Sequence, residues 1–380
     1  MSETWYHTWA EIQLDAIEQN YHAVRRLLSP SCKLMAVVKA DAYGHGAVSV
    51  ARRLLAVGAD CLAVSNLQEA LELRRADITA PILILSYVPP EAAETLAKHH
   101  ITQTVVGIDH ARRLEEAAAA AGVTVMVHIK LDTAMSRVGF FYHHPQTDAA
   151  VLDDIAAACR LPHLRAEGCF THFAVADEID KEEQTRHQFS LFTTALSELR
   201  KRGITFSLRH CCNSAGTLRF PEMHLDMVRP GIILYGVAPS PWMKTLCALQ
   251  PAMLLKTRVS LVKTVPANTP VSYGGTFTTA RESVLATVPV GYGDGMPRAL
   301  SNRYHVSVGG KAVPIIGKVC MDQCVLDVTA VGGVKEGDVV TVFGDFPTVE
   351  DYAAACHTIA YESLCFVGKR VCRAYHTIHK

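Results

Sequence analysis

Eight short apolar runs, each followed by a helical segment, recur through about the first 240 residues, and this rhythm limits the chain to very few architectures. The runs are Leu34–Val38, Cys61–Val64, Ile82–Leu85, Gln103–Val106, Thr124–Leu131, Ala166–Phe170, Ser207–Arg209 and the run that starts at Met227. Strands covered on both faces read as unbroken apolar runs, and strands alternating with helices make βα units and a parallel sheet. Eight such units close a (β/α)8 barrel, so the predicted class is α/β with an N-terminal TIM-like barrel. The texture changes near Leu249-Gln250-Pro251, beyond which alternation at period two dominates, as in Leu255–Leu261 and Val284–Val290. That pattern predicts a C-terminal mostly-β domain. The expected domains are residues 1–245 and 246–380, with residues 1–10 a candidate to pack on the β domain. Gly309-Gly310 predicts a hairpin turn. Asp15 before Glu18 and Asn66 before Glu69 read as helix caps with reciprocal partners. Asp109 reads as the cap of a helix running to Gly122, and a helix over Lys181–Arg202 is expected to stop at Gly203.

Composition narrows the function. The 37 basic and 37 acidic residues cancel, which removes the electrostatic case for nucleic acid or an anionic membrane surface. No apolar run approaches the ~20 residues of a membrane span, and the first residues carry no secretion signal. The 12 cysteines lie scattered without a Cys-x-x-Cys pair. Neither a disulfide framework nor a metal site is expected, and a reducing cytoplasm suits buried thiols.

In a barrel, chemistry sits at the C-terminal ends of the strands. Lys39 follows the first run; Lys130, Asp132 and Arg137 end or follow the fifth; His172 follows the sixth; Asn213 and Ser214 the seventh; Arg229 ends the eighth. A lysine leaving an apolar wall is expected to have a lowered pKa and a nucleophilic amine, which suits a Schiff base with an aldehyde. Each of these residues also has a structural reading. Lys39 can pair with Asp41, His172 can sit satisfied in the core, Asp132 can form a turn, and Arg229 can pair with Asp226. The loops Asn213–Thr217 and Pro230-Gly231-Ile232 follow the seventh and eighth strands, where barrels often bind phosphate, and their small residues let backbone N–H groups approach an anion. A reactive lysine with a phosphate cradle opposite points to pyridoxal 5′-phosphate.

With these residues in view, the chain closely resembles the bacterial alanine racemases, a fold-type III pyridoxal-phosphate family. The resemblance is carried by Ala36–Gly46, Lys130–Gly139, Thr171-His172-Phe173-Ala174, Asn213-Ser214 and Arg229-Pro230-Gly231. In the second domain it is carried by Ser272-Tyr273-Gly274-Gly275, Gly291–Gly295 and Cys320-Met321-Asp322-Gln323. It implies that Lys39 holds the cofactor and serves as one proton-transfer base. Tyr273, from the other subunit of a homodimer, would be the base on the opposite face. Arg229 would face the pyridine nitrogen, and its permanent charge would leave that nitrogen unprotonated. Tyr43, Ser214, Gly231, Ile232 and Tyr361 would contact the phosphate, and His172 the ring, with Asn213 beside them. Arg137 and the Met321 backbone would hold the substrate carboxylate, supported by a carbamylated Lys130 and by Asp322. Tyr292, Asp177 and Arg298 would line the channel to the site. The family pattern departs at Val175 (a threonine elsewhere), at Ala134 and Ser136 (glycine elsewhere) and at Lys318 (often arginine).

The expected activity is interconversion of L- and D-alanine, supplying D-alanine for peptidoglycan. Turnover of serine or a broader set of amino acids is the nearest alternative. A fold-type III decarboxylase would place a glutamate where Arg229 stands. A cofactor-carrying bare barrel would lack the second domain, and a barrel without cofactor leaves Lys39 and the phosphate loops unexplained.

Overall fold

The computed structural model describes residues 6–377 and divides into two compact units. One comprises Ile17–Ala42 and Ala47–Gln250; the other comprises the described residues up to Ala16, Tyr43–Gly46 and the chain from Pro251 onward.

The first unit is built from eight parallel strands: β1 Lys33–Val37, β2 Cys61–Val64, β3 Ile82–Ile84, β4 Ile101–Val105, β5 Val125–Asp132, β6 Leu164–Phe170, β7 Leu208–His210 and β8 Met227–Val228. Each falls within about two residues of a predicted run. They pair in the order β8-β1-β2-β3-β4-β5-β6-β7. Two backbone bonds bridge the remaining gap, from Asp226 N–H to Arg209 O (3.1 Å) and from Arg229 N–H to Cys212 O (2.9 Å). The chain is thus a nearly closed barrel. Its walls are fully buried runs such as Cys61–Val64, as expected of strands covered by helices on one face and a filled interior on the other. Tyr235 donates to the carbonyl of Val37 at 2.8 Å, tying the segment after β8 to β1.

Two predicted caps are corrected. Helix Leu14–Arg25 carries Asp15 inside its first turn, and helix Ile108–Ala120 is capped by Gly107 with Asp109 inside the turn. There a carboxylate stabilises the helix dipole without capping. Asn66 does cap helix Leu67–Arg75, accepting from Glu69 N–H. The Glu69 carboxylate does not return to the cap residue; it accepts from Ser65 N–H (2.6 Å) and Ala40 N–H (2.8 Å). The long helix runs Glu182–Lys201 and gives way to Gly203 at φ 77°.

The second unit is a nine-stranded, largely antiparallel sheet. Strand Thr8–Gln13 lies inside it, antiparallel to Met253–Arg258 and parallel to Cys372–His376. Residues 1–5 of the segment expected to pack here lie outside the described residues. Gly309 and Gly310, at φ 56° and 80°, turn the hairpin between His305–Val308 and Lys311–Ile316. Both values suit the two-residue turn that matches strand twist. Among the described residues no helix is long and apolar enough to cross a membrane, and no cluster of His, Cys, Asp and Glu is arranged to hold a metal.

Candidate active site

The C-terminal rim of the barrel is shaped by an unusual turn. After β1 the chain enters a left-handed helical turn: Ala40, Asp41, Ala42 and Tyr43 all have φ between 52° and 54°. Left-handed backbone costs a non-glycine residue roughly 1–2 kcal/mol, so four in a row need outside support. Glu69 accepts from Ala40 N–H, Asp41 accepts from Ala47 N–H at 2.7 Å, and Ala42 N–H reaches Val38 O at 2.9 Å. This scaffold fixes Lys39 at the mouth of the barrel.

Lys39, Lys130, Arg137 and His172 share the wall of one cavity of about 310 Å³, together with Ser65, Ser86 and Phe170. Two lysines and an arginine around one small space suit an anionic guest. Lys39 is only half-buried, contrary to the expectation of a desolvated amine. The buried lysine is Lys130, 4% exposed, with its amine 2.7 Å from Leu131 O. Burial, aided by Arg229 and Arg137 and opposed by Asp132, lowers its pKa to about 7. Burial and the charges of Arg229, Lys130, Arg137 and Lys39 hold His172 well below the ordinary imidazole value, so it is neutral.

Arg137 is delivered by a loop folded around one carboxylate. Asp132 Oδ1 accepts from Ala134, Met135 and Ser136 N–H, and Oδ2 accepts from Arg137 N–H, at 3.0–3.2 Å. His143 Nε2 lies 3.1 Å from the same carboxylate and stacks on Phe141. Burial pushes the Asp132 carboxyl up, but His143 and the backbone donors outweigh it and hold it below the usual range. The turn reading of Asp132 is therefore the one the geometry shows. Ser136, where the family pattern has glycine, adopts φ 50° within this loop.

Arg229 lies beneath the cavity wall, 2% exposed. Its guanidinium sits 5.2 Å from the Phe170 ring and donates to Thr171 O (2.8 Å), Cys211 O (3.1 Å) and His210 Nδ1 (2.7 Å), with His172 Nδ1 at 3.4 Å. It does not pair with Asp226, which is taken by Arg209 at 2.7 Å. Burial lowers its pKa to about 10, which leaves it charged at neutral pH.

The expected phosphate cradle forms a separate group. Asn213 caps the short helix Ser214–Arg219. Ser214 Oγ accepts from Gly231 N–H at 2.8 Å, which occupies that amide but leaves the hydroxyl proton to donate. Ile232 opens a tight 3-10 turn and is fully buried. None of these four is part of the 310 Å³ cavity wall, and neither is Asp177, whose carbonyl accepts from Ser240 and Trp242.

The remaining predicted residues belong to the β unit. Tyr43 and Tyr361 face each other with ring centroids 6.2 Å apart. Tyr292 and Gly293 N–H groups donate to Cys320 O and Met321 O at 3.0 and 2.9 Å. A Cβ on Gly291 would fall 2.3 Å from Cys320 O, so only glycine allows these loops to meet. Asp322 pairs with Arg370 (2.8 Å), which also binds the buried Asp294. Ser272 Oγ donates to Lys318 O at 2.7 Å and anchors the loop that presents Tyr273, which is 73% exposed. Met321 is 53% exposed; Tyr292 and Arg298 are also exposed. The reading from sequence missed Glu69, His143 and the histidines under Arg229. Of these only Glu69 left a trace, as half of a supposed capping box.

Two family models match: the alanine racemase N-terminal domain over residues 12–239 and the alanine racemase C-terminal domain over residues 252–375. The alanine racemase of Desulforamulus reducens is 48% identical over 370 residues, covering 97% of this chain and 98% of that protein. The one from Methanococcus maripaludis is 46% identical over 372 residues, covering 97% and 98%. Among solved structures, an alanine racemase of Clostridium difficile superposes with a TM-score of 0.93 at 39% identity, covering 98% and 96% of the two chains. That of Bacillus anthracis with bound L-Ala-P gives 0.91 at 36% identity, covering 98% and 96%.

Proposed function

The chain belongs to the alanine racemase family and is an amino-acid racemase; on that premise we propose that it interconverts L- and D-alanine with pyridoxal 5′-phosphate, in a homodimer whose sites are shared between subunits. The observation that carries this reading is the cavity at the barrel mouth, which brings Lys39, Lys130, Arg137 and His172 to one wall. The donor set fits the cofactor. Lys39 supplies an amine for its aldehyde, the Ser214 hydroxyl and the surrounding small residues suit its phosphate, and Arg229 supplies a donor for its ring nitrogen. When bound, the cofactor withdraws electrons from the substrate and acidifies its Cα–H.

The residues then divide the remaining work. Arg137, held by Asp132, orients the substrate carboxylate, with the Met321 N–H as a second donor. Arg229 has no lone pair, so it holds the atom before it unprotonated. Lys39 Nζ removes or returns the Cα proton on one face, and Tyr273 Oη does so on the other. Inversion requires both faces, because a single base would return the proton to the side it came from. The exposure of Tyr273 leaves its ring accessible to a second subunit, which fits a site completed by a partner. The neutral amine that burial gives Lys130 is the form that attacks carbon dioxide and, on losing a proton, becomes a carbamate, which supports its carbamylation and a negative partner for Arg137. Tyr43 and Tyr361 close the phosphate end, and Tyr292, Asp177, Arg298 and Asp322 shape access. D-alanine formed this way would feed peptidoglycan in the cytoplasm, where the 12 free thiols stay reduced.

Optical rotation tests the reaction directly. L-alanine incubated with the cofactor-loaded protein is expected to decay to a racemic end point. Retained rotation with release of carbon dioxide would replace this reading with decarboxylation.

A further inference from the structure

Arg229 is a buried cation with no carboxylate against it among the described residues. Its nearest side-chain partner is His210, whose Nδ1 lies 2.7 Å from Nη1. Behind it, His210 Nε2 lies 2.9 Å from His128 Nδ1. Behind that, His128 Nε2 lies 3.5 Å from Glu167 Oε1, at the long edge of hydrogen-bonding distance. The four residues come from the position after β8 and from β7, β5 and β6, and form one polar file through the barrel interior. Both imidazoles are fully or nearly fully buried, while the Glu167 side chain is 31% exposed.

While Arg229 stays against His210, the file has a single allowed direction. Arginine donates and never accepts, so His210 Nδ1 must carry the lone pair and Nε2 the proton. His128 Nδ1 must then accept, which puts the His128 proton on Nε2, facing the carboxylate. Charging either ring would place a second cation beside Arg229 and Lys130 in a buried space, and burial already holds both rings below the ordinary histidine value.

Two features of the backbone are built around this file. The β5–β6 register slips between Val127 and His128, so that Ala166 and Gly168 face consecutive residues and Glu167 is the extra one. Such a bulge re-aims a side chain. Next to it, a Cβ on Gly168 would lie 2.5 Å from His128 ring atoms, so the imidazole occupies the space of a missing side chain. Phe170 stacks on His210 at 5° and 4.9 Å, and lies under Arg229.

We infer that Glu167 is a positioning residue for Arg229: accepting at the far end of the file, it holds both rings, together with Arg229 at the other end, in the tautomer whose lone pair faces the guanidinium. This rests on the reading of Arg229 as the donor to the cofactor's ring nitrogen. It adds a residue that never approaches the reacting atoms. Its charged neighbours are Arg165 and Lys33, and its anion is also the remote counter-charge of the file.

The test begins with the full chain, free of cofactor and labelled with 15N-histidine. Long-range proton–nitrogen correlations are expected to show His128 and His210 neutral and protonated at Nε2. Protonation at Nδ1 in either ring, or a cationic ring, overturns the relay whatever the enzyme does. Glu167→Leu removes the acceptor and should mix the tautomers, whereas Glu167→Gln keeps an acceptor oxygen and should restore them. In the loaded enzyme, Glu167→Leu is expected to lower kcat on the order of tenfold with KM little changed, as the loss of an outer partner does elsewhere. Glu167→Gln should recover most of that loss. Unmixed tautomers in Glu167→Leu, or equal kcat losses in both variants, contradict the inference. A wild-type protein with the expected tautomers but no racemisation would instead contradict the reading of the reaction.

Discussion

At the scale of single residues, one cavity wall carries two lysines that differ in burial. Lys39 was marked by its place after an apolar run, and the structure puts it in the cavity wall, half-buried. The desolvated amine belongs to Lys130, near pH 7. Nothing in the run Val125–Asp132 distinguishes it, because burial of a polar residue inside a barrel depends on strands far away in sequence. The consequence for stability has a definite sign. Between about pH 7 and the ordinary lysine value, the unfolded chain holds a proton that the folded chain lacks, so this group makes stability rise with pH across that window. Lys130→Met removes the penalty. Its unfolding free energy should exceed the parent's most near pH 7, by at most about 5 kcal/mol, and the gap should close toward about pH 10. Denaturant titrations of both proteins across this range check it; parallel pH profiles would contradict the assignment.

At the scale of elements, strands were legible and their ends less so. Eight apolar runs mapped onto eight strands because parallel strands are buried on both faces and leave an unbroken signal. Helix starts were harder, because an aspartate in the first turn and one at the cap both favour the helix terminus. Asp15 and Asp109 are of the first kind and Asn66 is of the second. The left-handed turn over Ala40–Tyr43 was not legible at all. None of its four residues is glycine, and contacts from Glu69 and Asp41 and the bond from Ala42 N–H to Val38 O help to hold it. Glu69→Ala leaves two backbone donors without their charged acceptor and should cost roughly 2 kcal/mol. Ala40→Gly, at an exposed position with φ 52°, should stabilise by up to about 1 kcal/mol. Urea unfolding midpoints at unchanged m-value would record both shifts, and a destabilised Ala40→Gly would show that the turn carries no strain.

At the scale of the whole molecule, the two units follow from composition: βα runs on one side of Pro251 and period-two alternation on the other. What composition hides is the assignment of short segments. Strand Thr8–Gln13 and residues 43–46 belong with the β unit although they are interleaved with barrel sequence, because pairing partners such as Cys372–His376 lie at the other end of the chain. The file from Arg229 to Glu167 was hidden for the same reason, since His128 and His210 are 82 residues apart. The central claim, two bases contributed by two subunits, is also a property of the assembly, and one experiment addresses it. Lys39→Ala and Tyr273→Phe protomers, each inactive alone, are coexpressed with different tags, and the doubly tagged dimer is confirmed by sequential purification. In such a dimer one site carries both substitutions and the other carries neither. Racemisation of alanine is expected to return to about half the wild-type rate per dimer. A purified mixed dimer that stays inactive would contradict it, because Lys39 and Tyr273 would then act within one chain or not as a pair.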